Sequence, residues 1–379
     1  MKILHIITGL GNGGAEGMLY RICKDQKNIK NLDIRIISLS DNDWYKSRLN
    51  KIGIKVYKIN LKKNIINIFE IIKLIKLLIF LKPNVIQTWM YHANLIGGVL
   101  GYIFTKGEIF WNIRHTQLRI GYSKILTIFI SYCLSPISYL IPSKIIYCSS
   151  KSRKVHEKKF YDLRKSILMP NGYDDTFYPS KKLRFKFRKK NKIFKSNFVI
   201  GLAARFHAEK NFNNLIKAFK LFSKNQTNGI LFLKGKNVNL KNTILNNYLL
   251  GVSKKKYRLD HYSSNMNDFM NGIDLFVLPS LSESFPNVLA EAMLCKTPCV
   301  STDVGSAKTI ISSTGGIIVP TNNSYALYKA IKKFYEVYKI KKNWNTVKNN
   351  SRKRIIKNYN IRDISLKYLK LWKVKNTCN

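Results

Sequence analysis

Glu283 and Glu291 lie in the stretch DLFVLPSLSESFPNVLAEAMLCKTPCVSTDVG, residues 274–305 of a 379-residue chain. On one helix, rising 1.5 Å per residue, their positions would be roughly 12 Å apart. Two carboxylates acting as acid and base on one glycosidic bond need about 5 to 9.5 Å, so that chemistry is excluded. The span suits an elongated ligand held at both ends: a sugar, then a diphosphate, then a ribose. The amides of Phe285 and Asn287 would lie between the carboxylates, at the positive end of a helix, where anions are stabilised. The same residues also fit a plainer arrangement, an N-terminal cap and a solvated helix glutamate, and spacing alone leaves both open.

The elements that must position these carboxylates read as strand, turn, helix, strand. Residues 274–279 form a short apolar run closed by Pro279, as expected of a buried strand. Residues 285–294 have helical spacing, with Val288, Ala292 and Met293 on one face. Ser282 and Glu283 precede them where a helix N-terminus favours hydroxyl and acidic groups. Pro298 separates that helix from the next apolar run. Other short apolar runs, at 2–8, 34–40, 85–89, 109–113, 144–150, 198–204, 230–234 and 317–320, alternate with helical patterns, which predicts an α/β architecture with parallel sheets. The run 144–150 reads as the last strand of a first domain, and two domains are expected at this length.

Behind the first strand, Gly9, Gly11 and Gly14 satisfy GxGxxG, the dinucleotide fingerprint, with Asp41 available as the acid after the second strand. Asp41-Asn42-Asp43 has the form of a DxD metal motif, but such triplets are common in loops and this one reads as a turn. His115 follows the run 109–113 directly, beyond the C-terminal end of a strand, where ligands of parallel α/β sheets bind.

Glu-Ser-Phe-Pro-Asn-Val at 283–288, Ala-Glu-Ala-Met at 290–293, then Thr-Pro-Cys-Val and Thr-Asp-Val-Gly, together resemble the signature of the family 4 retaining glycosyltransferases, which have the GT-B fold. The resemblance covers nearly the whole chain and is strongest in its second half. It implies two Rossmann-like domains with parallel sheets facing a cleft. Residues 1–175 would be the acceptor side and 176–359 the nucleotide-sugar side, with a C-terminal helix within 360–379 packing back on the first domain. Gly13-Gly14-Ala15-Glu16 resembles the family's glycine loop, whose amides face the donor phosphates, and this reading displaces the dinucleotide one. Asn171-Gly172-Tyr173-Asp174 resembles the segment where the chain crosses between domains.

The resemblance also implies roles. Arg205 and Lys210 match the family's Gly-Arg-x-x-x-x-Lys segment and would neutralise the leaving diphosphate without metal. Glu291 would accept the ribose hydroxyls and Glu283 the donor-sugar hydroxyls, with Phe285, Pro286 and Asn287 in the donor site and His115 near the reacting sugar. No cofactor or metal is implied. The chain departs from the family at 257–262, Tyr-Arg-Leu-Asp-His-Tyr, where an apolar strand ending in Gly is usual. Base identity is therefore less secure than phosphate binding.

The formal charge of +47 fits nucleic acid, an anionic membrane or phosphorylated ligands, although Lys, Ile and Asn are abundant throughout, as in a compositional bias. Residues 181–195 hold nine Lys or Arg and no acid, yet no RNA-binding or helix-turn-helix signature accompanies them, so they read as a basic loop in solvent or on lipid headgroups. Residues 61–82 read as an amphipathic helix carrying Lys73, Lys76 and Lys82. Residues 125–141 have no charge and contain Pro136, which predicts a buried or interface-dipping helix rather than a membrane span. Six cysteines without a CxxC pair fit a reducing cytoplasm, and the N-terminus does not read as a secretory signal.

The function expected is retaining transfer from a nucleotide sugar, with UDP as the nucleotide, to a glycan or lipid-linked glycan in cell-surface polysaccharide or lipopolysaccharide assembly. It would take place peripherally on the cytoplasmic face of an anionic membrane, without nucleic acid as partner. The alternatives are a nucleic-acid-binding protein using its basic surface and a catalytically silent partner subunit of the same fold.

Overall fold

The computed structural model describes residues 1–61, 67–118, 123–261 and 265–374. They form two units, Met1–Asp174 with the chain from Asn360 on, and Asp175–Tyr359. In the first unit the strands are β1 (Lys2–Ile7), β2 (Asp33–Ser38), β3 (Lys55–Lys58), β4 (Val85–Trp89), β5 (Glu108–Ile113), β6 (Lys144–Tyr147) and β7 (Ser166–Leu168). They pair in parallel in the order β3-β2-β1-β4-β5-β6-β7. Between them run α1 (Gly14–Gln26), α2 (Lys46–Lys51), α3 (Ile68–Leu81), α4 (Gly98–Phe104, entered through a π-helical turn at Ala93–Gly97), α5 (Ile125–Leu140) and α6 (Ser150–Glu157).

Strand alternation sorts the core onto two faces of this sheet. Ile3, Ile7 and Phe110 point to one side with Met18, Leu19 and Ile22 of α1. Leu4, Ile6, Ile109 and Trp111 point to the other, where Leu74 and Leu78 of α3 and Ile130 and Leu134 of α5 cover them. The helix expected over 61–82 is seen as α3; residues 62–66 lie outside the described residues. Its start is capped by Asn67, whose side chain accepts from Phe69 N–H, and it ends where Lys82 turns left-handed at φ 44°. The expectation that 144–150 is the last strand is corrected. β7 follows β6 at the sheet edge, and its three residues, half-exposed to exposed, are too short a run to stand out in the sequence.

The second unit holds β8 (Phe198–Ala203), β9 (Gly229–Lys234), β10 (Tyr257–Asp260), β11 (Leu275–Leu278), β12 (Cys299–Thr302) and β13 (Gly316–Val319) in the parallel order β10-β9-β8-β11-β12-β13. Its helices are α7 (Lys181–Lys190), α8 (Phe212–Asn225), α9 (Thr243–Leu249), α10 (Met266–Gly272), α11 (Asn287–Leu294), α12 (Ala307–Gly315), α13 (Ser324–Lys339) and α14 (Lys341–Asn358). In α8, Leu215, Phe219 and Phe222 recur at helical spacing and enter an aromatic core with Phe198, Tyr335 and Trp344. The chain then returns as α15 (Ile361–Leu371), which packs with α1 in the first unit. There Trp372 Nε1 donates to Gln87 Oε1 at 3.2 Å, and the Tyr368 hydroxyl accepts from Asn112 at 2.9 Å. The tail, residues 375–379, lies outside the described residues.

One further expectation is corrected here. The basic segment 181–195 is a helix over its first ten residues rather than a loop. Ser180 caps it, Phe187 is buried, and Arg184 and Arg188 both pair with the buried Asp274. Two of its cations thus serve the fold, which removes them from any nucleic-acid surface. The divergent segment at 257–262 still makes a strand: β10 pairs with β9 along the edge of the sheet, with Tyr262 outside the described residues.

Candidate active site

The segments beyond the C-terminal ends of β8 and β11 carry most of the residues singled out for donor chemistry. Beyond β8 the chain runs through Arg205 into a 3-10 turn, Ala208–Lys210, before Asn211 turns left-handed at φ 45° to start α8. This loop is clamped to the one after β9: Ala204 N–H donates to Lys234 O at 2.9 Å and Phe206 N–H to Lys236 O at 2.8 Å. Gly235, at φ +146°, allows the approach, since a Cβ there would lie 1.9 Å from Ala204 O. Arg205 is thereby held with its side chain exposed.

Lys210 meets Glu283 from the turn after β11, with Nζ and Oε1 2.6 Å apart and the two side chains 18% and 16% exposed. Ser280 Oγ donates to the same carboxylate oxygen at 2.9 Å. Ser280 is fixed in turn, its carbonyl accepting from Thr302 Oγ1 of β12 at 2.6 Å. Gly305, at φ +51°, lies against the backbone of the same turn, where a Cβ would come within 2.4 Å of the carbonyl oxygens of Glu283 and Ser284. A carboxylate so fixed by Lys210 and Ser280 can accept hydroxyl hydrogens in a defined direction, while the lysine keeps an open side for an anion.

The helix expected over 285–294 begins at Asn287, with Pro286 at the cap position and no side-chain cap. Glu283 therefore lies outside the helix and caps nothing, and the helical spacing to Glu291 does not apply. Pro286 explains the late start: its fixed φ suits a helix entrance, but it disfavours helical geometry for Phe285 before it. Asn287 opens the helix, Glu291 is half-buried on it, and Phe285 packs edge-on against Tyr359. Sequence reasoning missed Ser280 and Gly235. The Lys-Gly-Lys after β9 was the available signal for the glycine.

In the first unit, His115 lies just past β5. Its Nε2 meets Gln117 O at 2.6 Å and Ser123 Oγ at 2.7 Å. A carbonyl only accepts, so Nε2 carries a proton. The backbone carbonyl of His115 accepts from Ser152 Oγ at 2.6 Å. Neighbouring Arg114 is buried, each of its three nitrogens donating: to Asn112 Oδ1 at 2.9 Å, to the Tyr368 hydroxyl at 3.2 Å and to Asn171 Oδ1. In the glycine loop, Gly13 N–H donates to Gly11 O at 3.0 Å and Gly14 opens α1. Glu16, on the first turn, has its carboxyl pKa raised by burial, with its backbone amide and Arg114 opposing. The turn containing Asp41-Asn42-Asp43 is a structural one, with Asp43 paired to Lys46 and Lys58. Among the described residues no group of three or more His, Cys, Asp or Glu could hold a metal ion.

Residues 184–354 match the family model described as glycosyl transferases group 1. CapM of Staphylococcus aureus, a capsular polysaccharide biosynthesis glycosyltransferase, is 26% identical over 338 residues, covering 86% of each chain. An Escherichia coli UDP-Gal:alpha-D-GlcNAc-diphosphoundecaprenol alpha-1,3-galactosyltransferase is 24% identical over 309 residues, 77% of this chain and 76% of that one. Among solved structures, Anabaena HepE in complex with UDP and glucose matches with a TM-score of 0.84 at 18% identity, over 99% of this chain and 100% of that one. WaaG, a glycosyltransferase involved in lipopolysaccharide biosynthesis, matches with a TM-score of 0.75 at 14% identity, over 99% and 100%. The two parallel sheets have the GT-B fold, and fold and family match together support a glycosyltransferase.

Proposed function

We propose that this protein is a retaining, metal-independent glycosyltransferase. It moves a hexosyl group from a UDP-sugar to a glycan or lipid-linked glycan in the assembly of a cell-surface polysaccharide. The anomeric carbon–oxygen bond to the diphosphate breaks, the acceptor hydroxyl oxygen bonds to the same face of that carbon, and the hydroxyl proton passes to the leaving UDP oxygen. The carrying observation is the Lys210–Glu283 pair at 2.6 Å beside the exposed Arg205. Breaking the donor bond builds negative charge on the leaving diphosphate, and Lys210 and Arg205 stabilise it, a role a metal ion fills in other enzymes. Glu283, oriented by Ser280 and Lys210, accepts from donor-sugar hydroxyls. Glu291 takes the ribose hydroxyls, with Phe285, Pro286 and Asn287 completing the donor site at the start of α11. For His115, Gly13 and Gly14, the parts proposed rest on resemblance alone: contact with the reacting sugar for the histidine, and with the donor phosphate for the glycine amides.

The UDP preference is supported by the UDP held by HepE and by the donor named for the E. coli relative. The acceptor named for that relative is a GlcNAc on diphosphoundecaprenol, which supports a peripheral setting at a membrane; the cytoplasmic face is part of the same proposal. Incubation with UDP-sugars and a diphospholipid-linked glycan in chelator, with the product anomer read by NMR, tests the proposal. Product with the donor's anomeric configuration is expected. An inverted anomer, or a strict metal requirement, would reject it.

A further inference from the structure

α3, α4 and α5 all pack on one face of the first sheet, side by side, with α3 against α4 and α5 against the π-helical turn that leads into α4. A helix that covers a sheet is ordinarily apolar on the covered side and polar on the other. These are apolar on both. α3 buries Leu74, Leu78 and Leu81, yet exposes Phe69 at 77% and Phe80 at 72%. α5 buries Ile130 and Leu134, yet exposes Ile125 at 74%, Phe129 and Leu140. Of the 27 large apolar side chains exposed among the described residues, five stand on α3, three on α4 and six on α5. The opposite face of the same sheet, covered by α1 and α15, has none on those two helices. The contrast within one unit excludes general composition as its cause. A contiguous apolar layer of this kind marks an interaction surface.

We propose that this face docks on an anionic lipid bilayer, with the three helices lying in the plane of the interface. Charge selects the occupant. Exposed Lys73 and Lys76 line the groove that Phe69, Ile72 and Phe80 form on α3, while Lys106 follows α4 and Lys124 precedes α5. Along α4 and α5 there is no acidic side chain, and Glu70 on α3 faces Lys73 at 3.7 Å. A second copy would bring the same cations against these, in a chain of net charge +47, whereas anionic headgroups supply the missing countercharge. Exposed Tyr102, Tyr132 and Tyr139 suit the headgroup depth, where amphipathic rings settle. No helix among the described residues is long and apolar enough to cross a membrane, so docking is in the plane. The inference deepens the peripheral setting proposed above and rests on it, but not on the donor chemistry.

Co-sedimentation of the full chain with phosphatidylcholine vesicles, with and without about one-third phosphatidylglycerol, tests the docking. Binding to the anionic vesicles and release by salt are expected. The double variants Phe69→Ser with Phe80→Ser, and Phe129→Ser with Leu140→Ser, should each weaken binding about tenfold or more, from the apolar area they withdraw. Phe185→Ser, which removes an equally exposed ring from the second unit, should bind as the parent does. UDP titration of every variant should match the parent, so a failed donor site shows in that titration and a failed docking face in the vesicles. Wild-type vesicle binding by both double variants would overturn the proposal, as would an equal loss in Phe185→Ser. A dimer in solution that Phe69→Ser with Phe80→Ser abolishes, without any vesicle binding, would assign the face to a second copy instead.

Discussion

β11 has a charged cluster at each end, and the two are built in opposite ways. At its start, Asp274 is closed off: its side chain is 3% exposed, Arg184 and Arg188 occupy both oxygens, and Val199 N–H adds a third bond at 2.8 Å. Beyond its end, Glu283 binds one lysine and one hydroxyl and remains open to solvent, as does Lys210. The first arrangement shuts the carboxylate away from solvent and ties α7 to the sheet. The second fixes direction while leaving capacity free. Charge that holds a fold and charge that receives a ligand are thus distinguished by how far their bonding is completed within the protein.

The largest effect expected from breaking this contrast is at the closed end. Asp274→Ala strands the buried Arg188 and takes a partner from the half-buried Arg184, and should cost about 3–5 kcal/mol of stability, read by denaturant unfolding. Lys210→Ala should do the reverse. Folding stability should fall by less than in Asp274→Ala, since the carboxylate left behind still accepts from Ser280 and reaches solvent. Turnover should fall about a hundred- to a thousandfold, since its charge matters most as the donor bond breaks. Steady-state kinetics beside a melting curve separate the two outcomes, and unchanged turnover would remove Lys210 from the mechanism.

Much of this was legible in sequence and some was not, for physical reasons. β1 and β8 are written as continuous apolar runs and α8 in strong helical periodicity, and the stretch around Glu283 and Glu291 points to a ligand through the signature it resembles. β7 and β10 are short edge strands with half-exposed side chains, so their stability comes from a neighbour rather than from their own pattern. α7 reads as a basic loop until Asp274, far along the chain, is seen to take two of its arginines. The Lys210–Glu283 pair spans the same kind of separation, and only the sheet brings its members together. The double-faced α3 and α5 could be recognised as helices, but their common placement on one sheet face is a property of topology.

A smaller effect is expected at Glu291. Replacing it by Ala should weaken donor affinity by roughly 1–3 kcal/mol with little change in stability, as for loss of a charged hydrogen-bond partner. Affinity equal to the parent's would end the ribose assignment.

The same distinction between closed and open groups applies to histidines. In the first unit, burial lowers His5 to about 3 and His156 to about 4. His156 sits between the Tyr91 hydroxyl at 2.6 Å and Ser152 O at 2.7 Å. The unfolded chain takes up these protons near pH 6.5 and the folded one does not. Stability should therefore fall as pH drops below about 6.5, by about 1.4 kcal/mol per pH unit for each histidine until its folded value is reached. Melting curves at pH 7 and pH 5 check this, and equal stability at both would show the rings are not held neutral.

The central claim is that the open cluster beyond β11 receives a nucleotide sugar. Calorimetric titration of UDP and UDP-sugars into the parent and Glu291→Ala, with chelator present, tests it most directly. The account predicts one metal-independent site per chain, weakened about tenfold or more in the variant. Absence of nucleotide binding, or equal affinity in both proteins, would contradict it.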